Sequence, residues 1–227
     1  RGYKRKSFSP TIISSNINAS WEDCGDEPLL IARSVPGLKV YIDSNKTSAA
    51  IRAAHDGNDI IIIDDGFQHR KLYRDIDLVC INSHKPFGNG LLMPSGILRE
   101  PPKSLDRADI IIVNKDDNDS QIKNLKFGKS IFNSTKICLG AKSIKGDSIN
   151  IDQIPVIAFC GLGNPKSFLL SLKKANIKVA DFIQFRDHHI YTPNDIDKIV
   201  SIMQHSNTEI AITSLKDMVK LEKIWPK

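Results

Sequence analysis

Apolar runs rich in β-branched residues alternate with helical patterns along the chain. The run over residues 59–64 is apolar on both faces between its acidic ends, as expected for a central strand of a parallel sheet. A helical pattern over residues 46–55 precedes it, and further strands are predicted over 76–81 and 108–114. This repeated strand–helix–strand order predicts an α/β fold in which helices cover a mostly parallel sheet.

The pattern restarts after a polar, lysine-rich stretch over residues 116–152. A strand is predicted over 156–160. Asn164 and Pro165 then predict a helix start, because Asn caps helices and Pro suits their first position. The remaining predicted elements are a strand over 177–185, a helix from Thr192 to about His205, a strand over 209–213 and a final helix. We therefore predict two lobes, residues 1–150 and a smaller α/β lobe over residues 151–227.

A segment rich in glycine and proline, residues 85–102, separates two of the predicted strands. It is longer than the usual connection between elements, and loops of this length are commonly functional. Its glycines allow the backbone to approach a ligand closely. We predict that this segment contacts a substrate.

The composition limits the classes of partner. The 227 residues carry a formal net charge of +6 and an isoelectric point near 9.1. Such a charge favours phosphates, nucleic acid or an acidic membrane face, or it reflects only a lysine-rich solvated surface. The basic residues are scattered and mostly lysine, which argues against nucleic acid as a partner. No apolar stretch approaches the roughly 20 residues that span a bilayer.

The four cysteines stand far apart and show neither a CxxC motif nor a Cys/His metal spacing. Cys80 and Cys160 lie within apolar strand patterns, so we expect them to be buried free thiols. Free thiols are typical of a reducing compartment, which favours a cytoplasmic location.

The apolar run over 59–64 ends in two adjacent carboxylates, Asp64 and Asp65, followed by Gly66. Ligands of open parallel sheets bind beyond the carboxyl ends of the strands. An acidic residue at such a strand tip is how P-loop NTPases hold Mg²⁺, and adjacent carboxylates are costly unless a cation is present. The alternative is that Asp65 and Gly66 form only a turn.

The residues around these carboxylates resemble the signature of a known family. Residues 64–69, DDGFQH, are similar to the signature of tetraacyldisaccharide 4'-kinases. The other matching elements are RGY at 1–3, GDEP at 25–28, RD at 74–75, FGNG at 87–90, PSGILREP at 94–101, RAD at 107–109, FCGLGNP at 159–165, FRDHHIY at 185–191 and TSLKDMVK at 213–220. In the last element, Ser214 and Leu215 replace a threonine and a glutamate of the family pattern. The matches run in order along nearly the whole chain.

The resemblance implies an ATP-dependent kinase that phosphorylates the 4'-hydroxyl of a tetraacylated glucosamine disaccharide, a lipid A precursor. It implies that the enzyme acts at the cytoplasmic face of the bacterial inner membrane and binds an anionic membrane surface. It also implies that the parallel sheet of the first lobe is of the P-loop-NTPase type.

By the same resemblance, Asp26 of the GDEP element is the catalytic base and His188 is its partner. A sugar hydroxyl needs a group that accepts its proton, and a carboxylate oriented by a histidine suits that task. Without the family, Asp26 is better explained as a helix cap, and His188 with His189 are equally well explained as a pair of surface histidines in a loop.

The resemblance assigns Mg²⁺, bound together with ATP, to Asp64, Asp65 and Glu100, and phosphate binding to Arg99. The candidates for contacts with the sugar acceptor and the lipid head group are Arg1, Tyr3, Gln68, His69 and Asn89. For each of these residues, ordinary hydrogen bonding within a loop is the alternative.

Kinases of this family carry a G-x-x-x-x-G-K-[ST] phosphate-binding loop before the RGY element, and the 227 residues contain no such loop. We therefore expect that the chain by itself does not turn over ATP. Two other hypotheses stay open. The DHH sequence at 187–189 is also typical of phosphoesterases that hold two Mn²⁺ ions, and a non-catalytic relic could still bind the lipid precursor.

Overall fold

The computed structural model of the protein describes residues 9–15, 18–83, 86–115 and 130–226. The predictions for Arg1 and Tyr3 lie outside the described residues. Contacts divide the chain into a first unit, residues 1–61 with 138–227, and a second unit, residues 62–137. The lobe boundary predicted near residue 150 falls within the first unit of this division.

The described helices and strands follow the predicted alternation. In chain order they are β1 (Thr11–Ile13), α1 (Trp21–Cys24), α2 (Asp26–Ser34), β2 (Val40–Ile42), α3 (Lys46–His55), β3 (Leu78–Asn82), a 3-10 helix (Pro102–Arg107), β4 (Ile110–Asn114), β5 (Ser130–Ser134), β6 (Ala141–Lys142), β7 (Ser148–Ile149), β8 (Val156–Cys160), α4 (Pro165–Lys174), β9 (Val179–Gln184), α5 (Pro193–His205), β10 (Ile210–Ile212) and α6 (Leu215–Leu221). The strand prediction over 156–160 and the helix prediction over 46–55 are confirmed at the same residues.

The helix starts predicted from local sequence are confirmed with their capping contacts. The Asn164 side chain accepts the N–H of Ser167 and caps α4. At α5, Thr192 accepts the N–H of Asp195 while the Asp195 carboxylate accepts the N–H of Thr192, a reciprocal capping box. These bonds satisfy backbone donors that a helix start leaves without partners.

A parallel three-stranded sheet forms the centre of the first unit, with β8 between β10 and β9. Every residue of β8 is buried, because helices cover both faces of this strand. Ile157 and Phe159 pack on one face against α5 and α6, and Val156 and Ala158 pack on the other against α4. This is the layered α/β arrangement that the alternating pattern predicts.

A second apolar cluster joins the two helices that carry the candidate site. Val219 of α6 packs with Leu29 and Ala32 of α2 in this cluster. Arg33 of α2 also forms an ion pair with Glu222 at 2.5 Å, just beyond α6. This packing brings the start of α2 close to α6.

The second unit is built on a parallel sheet in the order β3-β4-β5. Ile111 and Val113 of β4 are fully buried and pack with Leu105 and Ala108, which precede the strand. The strands predicted over 76–81 and 108–114 are confirmed as β3 and β4, each starting about two residues later. The α/β fold class with parallel sheets is therefore confirmed.

The strand predicted over residues 59–64 is wrong. None of the described strands pairs with this run, and the side chains of Ile60 and Ile62 are 82% and 88% exposed. A strand that is apolar on both faces needs hydrogen-bonded neighbours and cover on both sides, and the described residues supply neither here. The prediction that Cys80 is buried is wrong for a related reason, since β3 is an edge strand of its sheet and leaves Cys80 exposed.

Within the described residues, the helices are all too short or too polar to cross a lipid bilayer.

Candidate active site

Asp26 and His188 form a buried pair in the first unit. Asp26 Oδ2 lies 3.0 Å from His188 Nδ1, and their side chains are 6% and 18% exposed. A carboxylate that contacts one ring nitrogen of a histidine orients the imidazole and favours a hydrogen on that nitrogen. The sequence prediction named both members, and the structure brings them together.

The position of Asp26 at the start of α2 explains how a carboxylate is tolerated there. The helix begins directly after Gly25, which has a φ of 94°, and Asp26 is its first residue. Asp26 Oδ1 accepts the backbone N–H of Glu27 at 2.9 Å. The free N–H groups and the positive end of the helix dipole stabilise a negative charge at this position. Asp26 is therefore not the helix cap itself, since Gly25 occupies that place.

The backbone of His188 is held in an unusual conformation. Its φ of 53° is in the left-handed region, which side chains other than glycine adopt at a cost. Its N–H donates to the carbonyl of Gly161 at 3.1 Å and to Asp187 Oδ1 at 2.9 Å. These bonds hold the strained turn that points the imidazole towards Asp26.

The two adjacent histidines have separate roles. His189 Nε2 lies 3.0 Å from Asp195 Oδ2, and its ring stacks on Phe185 with 4.7 Å between the centroids. Burial acts to raise the pKa of Asp195, but hydrogen bonds from Thr192 and His189 hold it below its usual value. His189 thus belongs to the capping network of α5, and the loop-histidine alternative does not describe His188.

Two lysines of α6 complete the first-unit site, and sequence reasoning missed them. Lys216 Nζ lies 3.1 Å from His188 Nε2 and 2.9 Å from Glu27 Oε1. Lys220, one turn later, lies 3.8 Å from Asp26 Oδ2. The signal that could have found them is the TSLKDMVK element, in which lysines four residues apart share one helix face.

The Lys220 side chain is buried beside an anion and an aromatic ring. Its ammonium lies 2.9 Å from Asp217 Oδ1 and 5.4 Å from the ring centroid of Tyr191. Burial, and then the charge of Asp217, raises the pKa of the Tyr191 phenol far above its usual value. A buried ammonium needs such paired anions to offset the loss of hydration. Each lysine beside the Asp26–His188 pair is therefore matched by a carboxylate, Lys220 by Asp217 and Lys216 by Glu27.

A pocket in the second unit contains several of the other predicted residues. Its volume is about 310 Å³. Asp65, Gln68, Arg99, Glu100 and Ser104 provide polar side chains to its lining, and apolar residues of β3 and of the Gly/Pro-rich segment provide much of the rest. The structure thus brings together four residues that the sequence predicted for phosphate, metal or acceptor binding.

The charged residues of this pocket are paired with each other or with neighbours. Arg99 Nη1 donates to both carboxylate oxygens of Asp65, at 2.7 and 2.9 Å. Asp65 has a φ of 50° and lies in a turn, as the simpler alternative predicted. Glu100 accepts from Arg107 Nη2 at 2.7 Å, which lowers the pKa of the Glu100 carboxyl.

Asn89, a candidate for substrate contacts, supports the conformation of its own loop. Its amide donates to the carbonyl of Ser95 at 2.9 Å and its Oδ1 accepts the N–H of Leu91 at 3.1 Å. An added Cβ at Gly96 would collide with the Leu91 carbonyl and with Asn89 Oδ1. The loop therefore needs glycine at position 96 because its backbone segments approach each other closely.

The described residues include no group of three His, Cys, Asp or Glu side chains arranged to hold a metal ion. This does not conflict with the prediction for Asp64 and Asp65, since Mg²⁺ is commonly held by one or two carboxylates together with substrate phosphates and water. The carboxylate oxygens of Asp65 already face a cation, the guanidinium of Arg99. The DHH-type hypothesis gains no support, because His188 and His189 contact two different carboxylates.

The chain is similar in sequence to members of one protein family. The sequence profile of the LpxK family, described as tetraacyldisaccharide-1-P 4'-kinase, matches residues 1–227. The tetraacyldisaccharide 4'-kinase of Halothermothrix orenii is 35% identical and covers 98% of this chain, and that of Syntrophus aciditrophicus is 34% identical and covers 97%. The chain spans 65% of the length of each of these relatives.

A solved structure is similar as well. The crystal structure of "apo" form LpxK from Aquifex aeolicus in complex with ATP is similar to this chain, with a TM-score of 0.75 and 32% sequence identity. The similarity covers 99% of this chain and 69% of that one. Because the profile matches from end to end and relatives above 30% identity cover nearly all of the residues, the chain belongs to the tetraacyldisaccharide-1-P 4'-kinase family.

Proposed function

We propose that the protein functions in the transfer of the γ-phosphoryl group of ATP to the 4'-hydroxyl of a tetraacylated disaccharide precursor of lipid A. Family membership supports the reaction and the substrate class. The observation that carries the proposal is the buried Asp26–His188 pair at 3.0 Å, since an acceptor alcohol needs a positioned base.

In this reaction Asp26 accepts the proton of the 4'-hydroxyl as the hydroxyl oxygen attacks the γ-phosphorus of ATP and ADP leaves. His188 Nδ1 donates to Asp26 Oδ2 and orients the carboxylate, while the N–H of Glu27 holds the other oxygen. A carboxylate oxygen has two lone pairs, so a position remains for the incoming proton. The burial of Asp26 excludes water that would compete for that position.

The nucleotide enters as the magnesium complex of ATP in this proposal. Asp64 and Asp65 would hold Mg²⁺ with Glu100 as a further oxygen donor, and their hard carboxylate oxygens suit this ion. Bound Mg²⁺ would neutralise phosphate charge during the transfer. Arg99 has the planar guanidinium that pairs with phosphate oxygens, as it pairs with Asp65 here.

The acceptor is an acylated disaccharide, and Gln68, His69 and Asn89, with Arg1 and Tyr3, are proposed to contact its sugar and head group. The net charge of +6 favours attraction to an anionic membrane. We place the protein at the cytoplasmic face of the bacterial inner membrane, because the acyl chains of the substrate partition into lipid.

The test is a 4'-kinase assay with ATP, Mg²⁺ and the tetraacylated disaccharide 1-phosphate, with product identified by mass. It is run on the chain alone and on a fusion in which the phosphate-binding segment of a family member precedes Arg1. We expect 4'-phosphorylated product from the fusion. A folded fusion that binds ATP but forms no product, or that phosphorylates another position, would contradict the proposal.

A further inference from the structure

The two ammonium groups of α6 lie on opposite sides of the Asp26–His188 pair. Lys220 is 3.8 Å from the carboxylate, and Lys216 is 3.1 Å from Nε2, the imidazole nitrogen that faces away from Asp26. Lys216 also lies 2.9 Å from Glu27 Oε1 and 3.8 Å from Asp187 Oδ1, the contacts of an ammonium group. Its side chain is only 17% exposed, so these contacts are partly removed from solvent.

The donors and acceptors of this chain of contacts determine where the imidazole proton lies. An ammonium group has three N–H donors and no acceptor, so its contact with Nε2 requires an unprotonated Nε2. An ionised carboxylate only accepts, so the contact with Asp26 requires a hydrogen on Nδ1. We propose that Lys216 is a positioning residue that keeps His188 in the neutral form protonated at Nδ1 and excludes the imidazolium.

The surrounding charges give the direction of the effect of removing Lys216. Among the described residues, the charged groups around the imidazole include Asp26 and Lys216, which contact it, and Glu27, Asp187 and Lys220, which contact those two side chains. The carboxylates of Asp26, Glu27 and Asp187 attract a positive charge. The Lys216 ammonium supplies this charge, so the imidazole stays neutral. Loss of the Lys216 ammonium leaves Glu27 and Asp187 without this cation and allows Nε2 to bind a proton.

The neutral imidazole matters for the reaction, and this part of the inference rests on the proposed function. An imidazolium 3.0 Å from Asp26 would pair directly with the carboxylate and weaken it as a proton acceptor. A neutral His188 still donates from Nδ1 and orients Asp26, but leaves the carboxylate charge available to the substrate hydroxyl. Lys216 would thus extend the activity of the base to lower pH.

The experiment measures the ring-nitrogen ¹⁵N shifts of the histidines in the chain itself, with ¹⁵N-histidine labelling and His188→Gln to identify the resonances. An ordinary histidine is largely protonated on both nitrogens at about pH 5.5, and a histidine-containing model peptide in the same buffer provides that reference. We expect His188 at this pH to show one protonated nitrogen, Nδ1, and one unprotonated nitrogen, Nε2. Protonation of both nitrogens, or of Nε2 alone, overturns the proposal without any variant.

Variants then test the role of Lys216. Lys216→Met, which keeps the length of the side chain, should give a doubly protonated His188 at the same pH, and Lys216→Arg, which also only donates, should restore the native spectrum. Lys223→Met is the matched control, because Lys223 is exposed beyond the end of α6. An unchanged His188 spectrum in a folded Lys216→Met chain contradicts the proposal.

A kinase assay of the fusion separates this inference from the proposed function. In Lys216→Met we expect kcat to fall at about pH 6.5 by tenfold or more and by much less at about pH 8.5, with the KM for ATP unchanged. Equal losses of kcat at both pH values would overturn the catalytic consequence. If the fusion is inactive while the ¹⁵N result holds, the proposed function fails and the assignment of the proton stands.

Discussion

Asp217 of α6 accepts the backbone N–H of Gly161 at 3.0 Å and so ties the start of the last helix to the end of the central strand β8. The same carboxylate oxygen accepts from Ser214 Oγ at 2.8 Å, and the other oxygen lies 2.9 Å from Lys220 Nζ. Gly161 is required for this approach, since an added Cβ would lie 3.0 Å from the Arg186 carbonyl and 3.2 Å from Asp217 Oδ1. One fully buried carboxylate thus positions the helix that carries both lysines of the site.

Replacement of this carboxylate should be strongly destabilising. Asp217→Ala leaves the buried Lys220 without its nearest anion, which we expect to lower the free energy of unfolding by about 3–5 kcal/mol. Chemical denaturation of the chain measures this change. Asp197→Ala is the control, because Asp197 is exposed on α5, and its effect should stay within about 0.5 kcal/mol. If Asp217→Ala also lowers the free energy of unfolding by no more than about 0.5 kcal/mol, the buried Asp217–Lys220 pair contributes little to stability.

Replacement of Asp26 should affect chemistry more than nucleotide binding. Asp26→Asn in the fusion removes the proton acceptor but keeps the shape of the side chain, so we expect kcat to fall by about 10²- to 10⁴-fold with the KM for ATP nearly unchanged. Asp23→Asn, at an exposed position in α1, serves as the control. A loss of ATP affinity with normal kcat would place Asp26 at the nucleotide instead.

The capping network of α5 should depend on pH in a defined direction. Burial acts to raise the pKa of Asp195, but the bonds from Thr192 and His189 depress it below its unfolded value. A depressed carboxyl pKa contributes stability above the unfolded value, about 3.9, and that stability is lost as the pH falls through the folded value.

We therefore expect Asp195→Asn to lower the free energy of unfolding at neutral pH, with a difference from the native chain that shrinks below about pH 4. Denaturant unfolding at a series of pH values measures this difference in the free energy of unfolding. Asp197→Asn, at an exposed position on the same helix, is the matched control. A difference that grows in acid would mean that the bonds to Asp195 do not favour its ionised form.

The four thiols should divide into two classes. Cys80 and Cys138 are exposed, whereas Cys24 and Cys160 are buried. Burial raises the pKa of Cys160 to about 11, and only the thiolate is a good nucleophile. A disulfide reagent at neutral pH should label two thiols rapidly and the other two only after unfolding, and Cys80→Ser should remove one rapid site. Rapid labelling of Cys160 in the folded chain would contradict its buried position.

Local chemistry in the sequence determined much of this fold. Asn164 with Pro165 and Thr192 with Asp195 determined the starts of α4 and α5, because capping bonds act between residues only three positions apart. The continuous apolar pattern of β8 predicted a strand buried on both faces, and helices cover both faces of it. Family signatures also identified Asp26 and His188, though not the lysines beside them.

Only the tertiary structure decided how the His188 imidazole reaches Asp26, because the turn at His188 is held by contacts with Gly161 and Asp26 is positioned by the packing of α2 on α6. The pairing of Lys216 with Glu27 depends on the same packing. The exposure of Ile60 and Ile62 likewise followed from their neighbours and not from their own hydrophobicity. Short-range hydrogen bonds act within a few residues and are readable in the chain, whereas contacts across 162 positions exist only after the helices have packed.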